Sequence, residues 1–186
     1  MKSFFLIVLS IVFSIPASAQ MKVGDATLPE KQTFEDQTLL LNGAGVREKF
    51  WIDLYAAGLY LDEESSDAVS IVSADKPMAI KLHIVSRLIS SEKMIDAVKD
   101  GFKKSTDGNT APIQKEIDAL ISFFKEDIHG GDVFDLVYFP SKGVVAYKNG
   151  EERGTVKGMD FKKALFGIWL SDDPADDDLK EKLLGN

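Results

Sequence analysis

Leu41-Asn42-Gly43-Ala44-Gly45-Val46-Arg47 and, after an aromatic run, Tyr55-Ala56-Ala57-Gly58-Leu59-Tyr60-Leu61-Asp62 are the two segments that organise this chain. The residues from Thr33 to Asn42 and from Lys49 to Asp62 are rich in Leu, Phe, Trp, Ile and Tyr, and they flank Gly43-Ala44-Gly45. Apolar runs on either side of a glycine cluster predict two antiparallel strands joined at that cluster. Gly58, inside the second run, is expected to mark a bend or bulge in a long strand. A third glycine and a following helix, which a dinucleotide fingerprint needs, are both missing, so the stretch argues against a nucleotide site. Arg47 closes the turn, immediately before Phe50, Trp51, Tyr55 and Tyr60.

Downstream, Glu63 to Asp75 is polar and reads as a connection. Met78, Ile80, Leu82 and Ile84 then alternate with Ala79, Lys81, His83 and Val85, the period-2 pattern of a half-buried strand on which His83 and Lys81 share a face. The period changes after Ser90 or Ser91, either of which can cap a helix carrying Met94, Ile95, Val98 and Phe102. Pro112 opens another helix, with Ile113, Ile117, Leu120, Ile121 and Phe124 as its apolar stripe. Strands return at Val133 to Phe139 and Gly143 to Tyr147, joined by Pro140-Ser141-Lys142, and Asn149-Gly150 predicts a further two-residue hairpin turn. Two helices close the chain: Asp160 is expected to cap Phe161 to Leu170, and Asp176 to Asp178 supply an acidic first turn to Leu179 to Leu184. This order predicts an α+β domain, one sheet with helices on one face.

Upstream, Met21 to Gln32 shows no sustained period and is expected to be irregular, which places the folded domain at 33–186 and an irregular segment at 20–32. Residues 1–19 have the form of a cleaved signal: Lys2, an apolar stretch from Phe4 to Ile15, then Ala17-Ser18-Ala19 as an A-x-A site. Twelve residues rise only about 18 Å as a helix, short of a bilayer's hydrocarbon core of about 30 Å. The sequence therefore predicts export, cleavage after Ala19, a periplasmic location in a Gram-negative source, and no membrane-spanning segment in the mature chain.

Composition narrows the chemistry. Of 186 residues, 30 are Asp or Glu and 22 Lys or Arg, a formal net charge of −8 that argues against nucleic acid as a partner. The absence of Cys removes disulfides, thiolate metal sites and a thiol nucleophile. Only two histidines are present; His129 lies in a glycine loop without the G-x-S-x-G elbow, and neither shows metal-ligand spacing. Asp172, Asp173, Asp176, Asp177 and Asp178 lack the order of a calcium loop and read as helix-capping charge. No metal or cofactor is predicted.

The two N-terminal segments together resemble the signature of the chalcone isomerase superfamily, a G-A-G-x-R turn and a strand ending in G-[VL]-Y-L-[DE], and within it the exported bacterial chalcone-isomerase-like branch. The likeness runs through the central helices to Leu165 to Trp169 and Asp178-Leu179-Lys180. It implies an open-faced β-sandwich, a large antiparallel sheet with helices on one face and an apolar ligand cleft between the layers. In the plant enzymes the turn arginine orients an anionic oxygen of the substrate, helped by a strand threonine, a tyrosine, an asparagine and a late Thr or Ser. Here Arg47 matches the arginine, Tyr55 takes the threonine's place, Asp96 falls roughly at the asparagine and Ile168 at the late hydroxyl, while Ile89 and Ser90 lie where the tyrosine would be.

The superfamily's fatty-acid-binding branch pairs the same arginine with a tyrosine at the strand position, as Arg47 and Tyr55 would. A guanidinium offers a carboxylate a fork of donors, and a phenol adds one neutral donor. The resemblance thus implies a non-catalytic binder of a small amphipathic, fatty-acid-like carboxylic acid at Arg47, Tyr55, Asp96 and Ile168. Two alternatives stand beside it: an isomerase of the intramolecular-lyase type, and an envelope interaction module that needs no ligand. Arg47 is equally readable as a structural partner of Glu48 or Asp53, and Tyr55 as a core aromatic.

Overall fold

Nine strands and five helices follow one another along residues 19–186, which the computed structural model describes; the signal sequence predicted from the first residues lies outside the described residues up to Ser18. β1 (Gln20–Val23) and β2 (Ala26–Pro29) form a small hairpin. β3 (Lys31–Phe34), β4 (Gln37–Lys49), β5 (Ile52–Leu61), β6 (Met78–Ile84), β7 (Val133–Phe139), β8 (Gly143–Lys148) and β9 (Glu151–Val156) pair in sequence order into one seven-stranded sheet, every neighbour antiparallel. α1 (Ala68–Ser73) connects β5 to β6; α2 (Ser91–Ser105) and α3 (Gln114–Ser122) connect β6 to β7; α4 (Met159–Leu170) and α5 (Asp177–Leu183) close the chain. The α+β architecture expected from the sequence is the one observed, a curled antiparallel sheet with its helices on one face. Among the described residues no helix is long and apolar enough to cross a membrane.

The period-2 rule places the main core. Tyr55, Ala57, Leu59 and Leu61 of β5, the even positions of β6 and Phe134, Leu136 and Tyr138 of β7 face the helices, which return Phe102, Leu120, Phe161, Leu165 and Phe166 to the same core. Ser90 caps α2 by accepting from the Lys93 N–H at 3.3 Å, and Asp176 caps α5 by accepting from Leu179 N–H at 2.9 Å. Asp173 pairs with Lys104 at 2.7 Å, so this part of the acidic stretch acts through capping and pairing.

Several expectations are corrected. The glycine cluster is not the turn: β4 runs straight through Gly43-Ala44-Gly45, and the hairpin closes at Phe50-Trp51 between the paired Lys49 and Ile52. The glycines serve packing instead, because a Cβ on Gly43 would lie 2.6 Å from the Leu183 carbonyl oxygen and one on Gly45 would lie 2.8 Å from Lys182 Cδ. Gly–x–Gly is what lets α5 lie on β4. Asn42, at a bulge, donates to the Leu183 carbonyl at 2.9 Å and ties the end of α5 down. Gly58 likewise sits in regular register, with Leu28 and Leu41 crowding its missing side chain; the irregularities of the β4–β5 ladder fall between Leu41 and Gly43 and between Arg47 and Glu48.

The segment expected to be irregular, 20–32, forms β1, β2 and the start of β3, strands of four residues each and too short to show a period. They hold because Val23, Ala26 and Leu28 pack on Ala56 behind the sheet. That hairpin, together with a second cluster of Phe34, Leu39, Tyr60, Ala79, Val137, Phe139 and Val145, covers much of the face away from the helices. β6 is accordingly buried on both faces rather than half-buried, and Lys81 is neutralised there by Asp135 at 2.6 Å. Asp160 caps nothing: α4 begins at Met159 after Gly158, whose φ of 116° suits glycine, and Asp160 lies in the first turn.

Candidate functional site

Arg47 near the end of β4 and Tyr55 on β5 are directly paired in the ladder, so both side chains leave the sheet on the helix-bearing face. The guanidinium carbon lies 5.8 Å from the centre of the Tyr55 ring. Arg47 is half-buried and, among the described residues, has no carboxylate within ion-pair distance, Glu48 and Asp53 included. Tyr55 is buried, and its hydroxyl accepts from Trp169 Nε1 at 3.1 Å. That bond uses a lone pair and leaves the phenolic proton for another acceptor. Among the described residues, a cation without an ion-pair partner and a hydroxyl proton without an acceptor therefore lie side by side.

They stand where two spaces meet. Outside is a groove of about 720 Å³ between the β4–β5 tip, the Leu88-Ile89 loop and α2, with Phe50, Ile52 and Leu88 at its lip and Met94, Ala97 and Gly101 along the helix side. Inside, between sheet and helices, is an apolar space lined by Leu82, Val98, Leu120, Phe124, Leu136, Leu165 and Ile168. Its volume is only about 30 Å³, roughly that of one water. Arg47, Tyr55, Met94 and Ala97 line both.

Of the residues expected from the sequence, Arg47 and Tyr55 line both spaces, Ile168 lines the inner one and Asp96 the outer groove. Ile168 is buried and forms the apolar wall at the far end, where it presses on α2 at Gly101; a Cβ there would lie 2.7 Å from Ile168 Cγ2. Asp96 is exposed on the groove's rim, because the buried positions of α2 are Met94, Val98, Gly101 and Phe102 and position 96 falls off that face. A carboxylate there repels an anion instead of holding one. Trp169, which fixes the Tyr55 hydroxyl, was not singled out from the sequence; its position next to Ile168 was the available signal. Neither histidine lines the groove or the inner space.

The profile of the chalcone isomerase-like family matches residues 20–185. No curated protein sequence matches the chain. Among solved structures, a fatty-acid binding protein of Arabidopsis thaliana superposes with a TM-score of 0.68 at 20% identity, covering 86% of this chain and 91% of that one. A likeness at that identity speaks for the fold, and the fold and the family profile agree. The chain belongs to the chalcone isomerase-like family.

Proposed function

We propose that the protein binds a small amphipathic carboxylic acid, fatty-acid-like, with its carboxylate on Arg47 and Tyr55 and its acyl chain in the groove along α2. The observation that carries this is the half-buried guanidinium without a carboxylate partner, beside a free phenolic proton at the junction of an apolar wall and an open groove. A partly desolvated cation of this kind favours an anion, and charge-assisted donors hold it better than neutral ones. A solved protein of this fold is a fatty-acid binding protein, which supports the same class of ligand. Cyclisation of a chalcone is disfavoured because Ile168 offers no hydroxyl at the apolar wall and Tyr55 stands where the enzymes' strand threonine would be. Native mass spectrometry of the purified protein, with organic extraction of what copurifies, tests the proposal: a bound acid supports it, and a protein that stays empty when titrated with fatty acids refutes it.

One observation favours a second reading. An inner space of about 30 Å³ holds no acyl chain as it stands, as an interaction module without a ligand would require. The two readings part at the groove, which the module leaves empty at every acid concentration. We further propose that the protein is an exported member of the family, its leader removed after Ala19 and its mature form periplasmic. Intact mass and cell fractionation test this: a chain that begins at Gln20 in the extracytoplasmic soluble fraction supports it, and one retaining Met1 in an exporting host refutes it.

A further inference from the structure

Phe50 and Trp51 are the whole of the β4–β5 turn, and both adopt left-handed backbone, with φ of 53° and 60°. Such a two-residue turn favours Asn-Gly and disfavours bulky side chains. Yet the chain places two aromatics there and exposes them, Phe50 to 78% and Trp51 to 91%. Ile52, 41% exposed, and Leu88, 53% exposed across the groove, extend the apolar surface. Lys49 lies beside the Phe50 ring, its Nζ 5.8 Å from the centroid, and Lys93 donates to the Leu88 carbonyl at 3.0 Å. Phe50, Ile52 and Leu88 also form the lip of the groove that leads to Arg47 and Tyr55.

We infer that this hairpin tip is a bilayer-docking wedge: Trp51, Phe50, Ile52 and Leu88 enter the headgroup region of a zwitterionic lipid surface and bring the mouth of the groove against it. The purpose of such docking, loading or delivery of the acid, rests on the function proposed above. Its geometry does not. The tip is convex and small: two exposed aromatics and two partly exposed aliphatics offer on the order of 400 Å², short of the ~800 Å² a side of a stable protein interface. Trp favours the membrane–water boundary, where its apolar ring body and its indole N–H are both satisfied, and Phe adds apolar area beside it. Charge selects the lipid. The groove's cations Arg47, Lys49, Lys93 and Lys104 are nearly matched by Glu48, Asp96 and Asp100, and the chain carries −8 overall, so an anionic surface gains little over a zwitterionic one.

Cosedimentation of the ligand-free protein with phosphatidylcholine vesicles tests the wedge. The informative variant is Trp51→Gly, which deletes the most exposed ring and gives the turn a residue suited to its φ. Wild type is expected to partition onto the vesicles, and Trp51→Gly to partition about tenfold or more less strongly with an unfolding midpoint unchanged or raised. Comparison of two chains with the same N-terminus isolates the tip. Replacing a fraction of the lipid by phosphatidylserine is expected not to strengthen binding. The inference is overturned if wild type stays in the supernatant, if Trp51→Gly partitions like wild type, or if the tip instead drives a concentration-dependent dimer that Trp51→Gly abolishes. Trp51 does not line the groove, so titration of a fluorescent fatty acid in vesicle-free buffer is expected to give the same affinity for both chains. Loss of acid binding by wild type in that titration refutes the proposed function and leaves the vesicle result standing.

Discussion

Arg47 and Tyr55 are opposite partners in the β4–β5 ladder, and the Tyr55 hydroxyl is held from behind by Trp169 Nε1 at 3.1 Å. A ladder pair cannot change its spacing without breaking the sheet, so the cation and the phenol are positioned before any ligand arrives. That preorganisation separates their roles. Arg47→Ala removes charge-assisted donors of roughly 1.5–3 kcal/mol and is expected to weaken binding of a fluorescent fatty acid by about 10- to 150-fold. Tyr55→Phe removes one neutral donor, roughly 0.5–1.5 kcal/mol of affinity. The matching alcohol is expected to bind wild type weakly and to be indifferent to Arg47→Ala; equal affinity for acid and alcohol refutes the assignment.

Gly43 makes a prediction about stability. Its missing side chain is filled by the backbone of α5, with the Leu183 carbonyl oxygen 2.6 Å from where a Cβ would stand, and backbone cannot rotate aside as a flexible side chain can. Gly43→Ala is expected to cost about 1–3 kcal/mol, read as a lower urea midpoint, by pushing α5 off β4. Gly130→Ala, whose nearest neighbours stand at 3.6 Å or more, is the control and is expected to change little. Equal midpoints for the two variants refute the packing role.

These two sites also show what was legible in the sequence. The alternation of β6 and the stripe of α2 are local patterns that the sequence shows. The first expected strand, Thr33 to Asn42, instead spans the turn at Glu35-Asp36 between β3 and β4 and stops short of the end of β4, and the helix expected from Pro112 starts as a 3-10 turn, with α3 beginning only at Gln114. Gly43-Ala44-Gly45 was misread because a glycine that turns the chain and a glycine that admits a helix look alike until α5, about 140 residues later, is placed against it. Phe50-Trp51 was missed as the turn for the converse reason: its residues oppose the geometry they adopt. That Asp96 lines the groove from an exposed position on its rim was not legible, because resemblance gives a position along α2 but not the angle at which that helix faces the cleft. α1 was missed because its six residues carry no stripe, and its C-terminal carbonyls are satisfied by Lys162 of α4.

Lys81 and Asp135 are Cα partners on β6 and β7 and form a buried pair at 2.6 Å, with side chains 8% and 6% exposed. Burial pushes the Asp135 carboxyl above its ordinary range, and the Lys81 ammonium draws it back. Asp135→Ala leaves a buried ammonium unpaired and is expected to destabilise by about 3–5 kcal/mol. Lys81→Met with Asp135→Leu removes both charges and fills the space, so it is expected to recover most of that loss. A double variant no more stable than Asp135→Ala overturns this account.

Lys162 carries the pH prediction. Its side chain is fully buried, and Nζ donates to the carbonyls of Ile71 at 3.2 Å, Val72 at 2.8 Å and Ala74 at 2.9 Å, closing the end of α1. The rings of Tyr138 and Phe166 lie 5.2 and 5.8 Å from it, and no carboxylate is paired with it among the described residues. Burial pulls its amine down to about 8, against the opposing pull of Asp75 and with a smaller push from Lys163. Between about pH 8 and the ordinary lysine value the unfolded chain therefore holds more protons than the folded one, and stability from this group rises with pH across that window. Below the window the folded state bears the cost of a buried cation; above it that cost is gone. The tyrosines whose hydroxyls burial pushes upward, Tyr60, Tyr138 and Tyr147, work in the other direction only above the ordinary tyrosine value. Urea midpoints at pH 7.5 and 9.5, values chosen to bracket the lower half of that window, isolate the lysine. Wild type is expected to gain relative to Lys162→Met, whose side chain does not titrate. An identical pH dependence in both chains refutes the assignment.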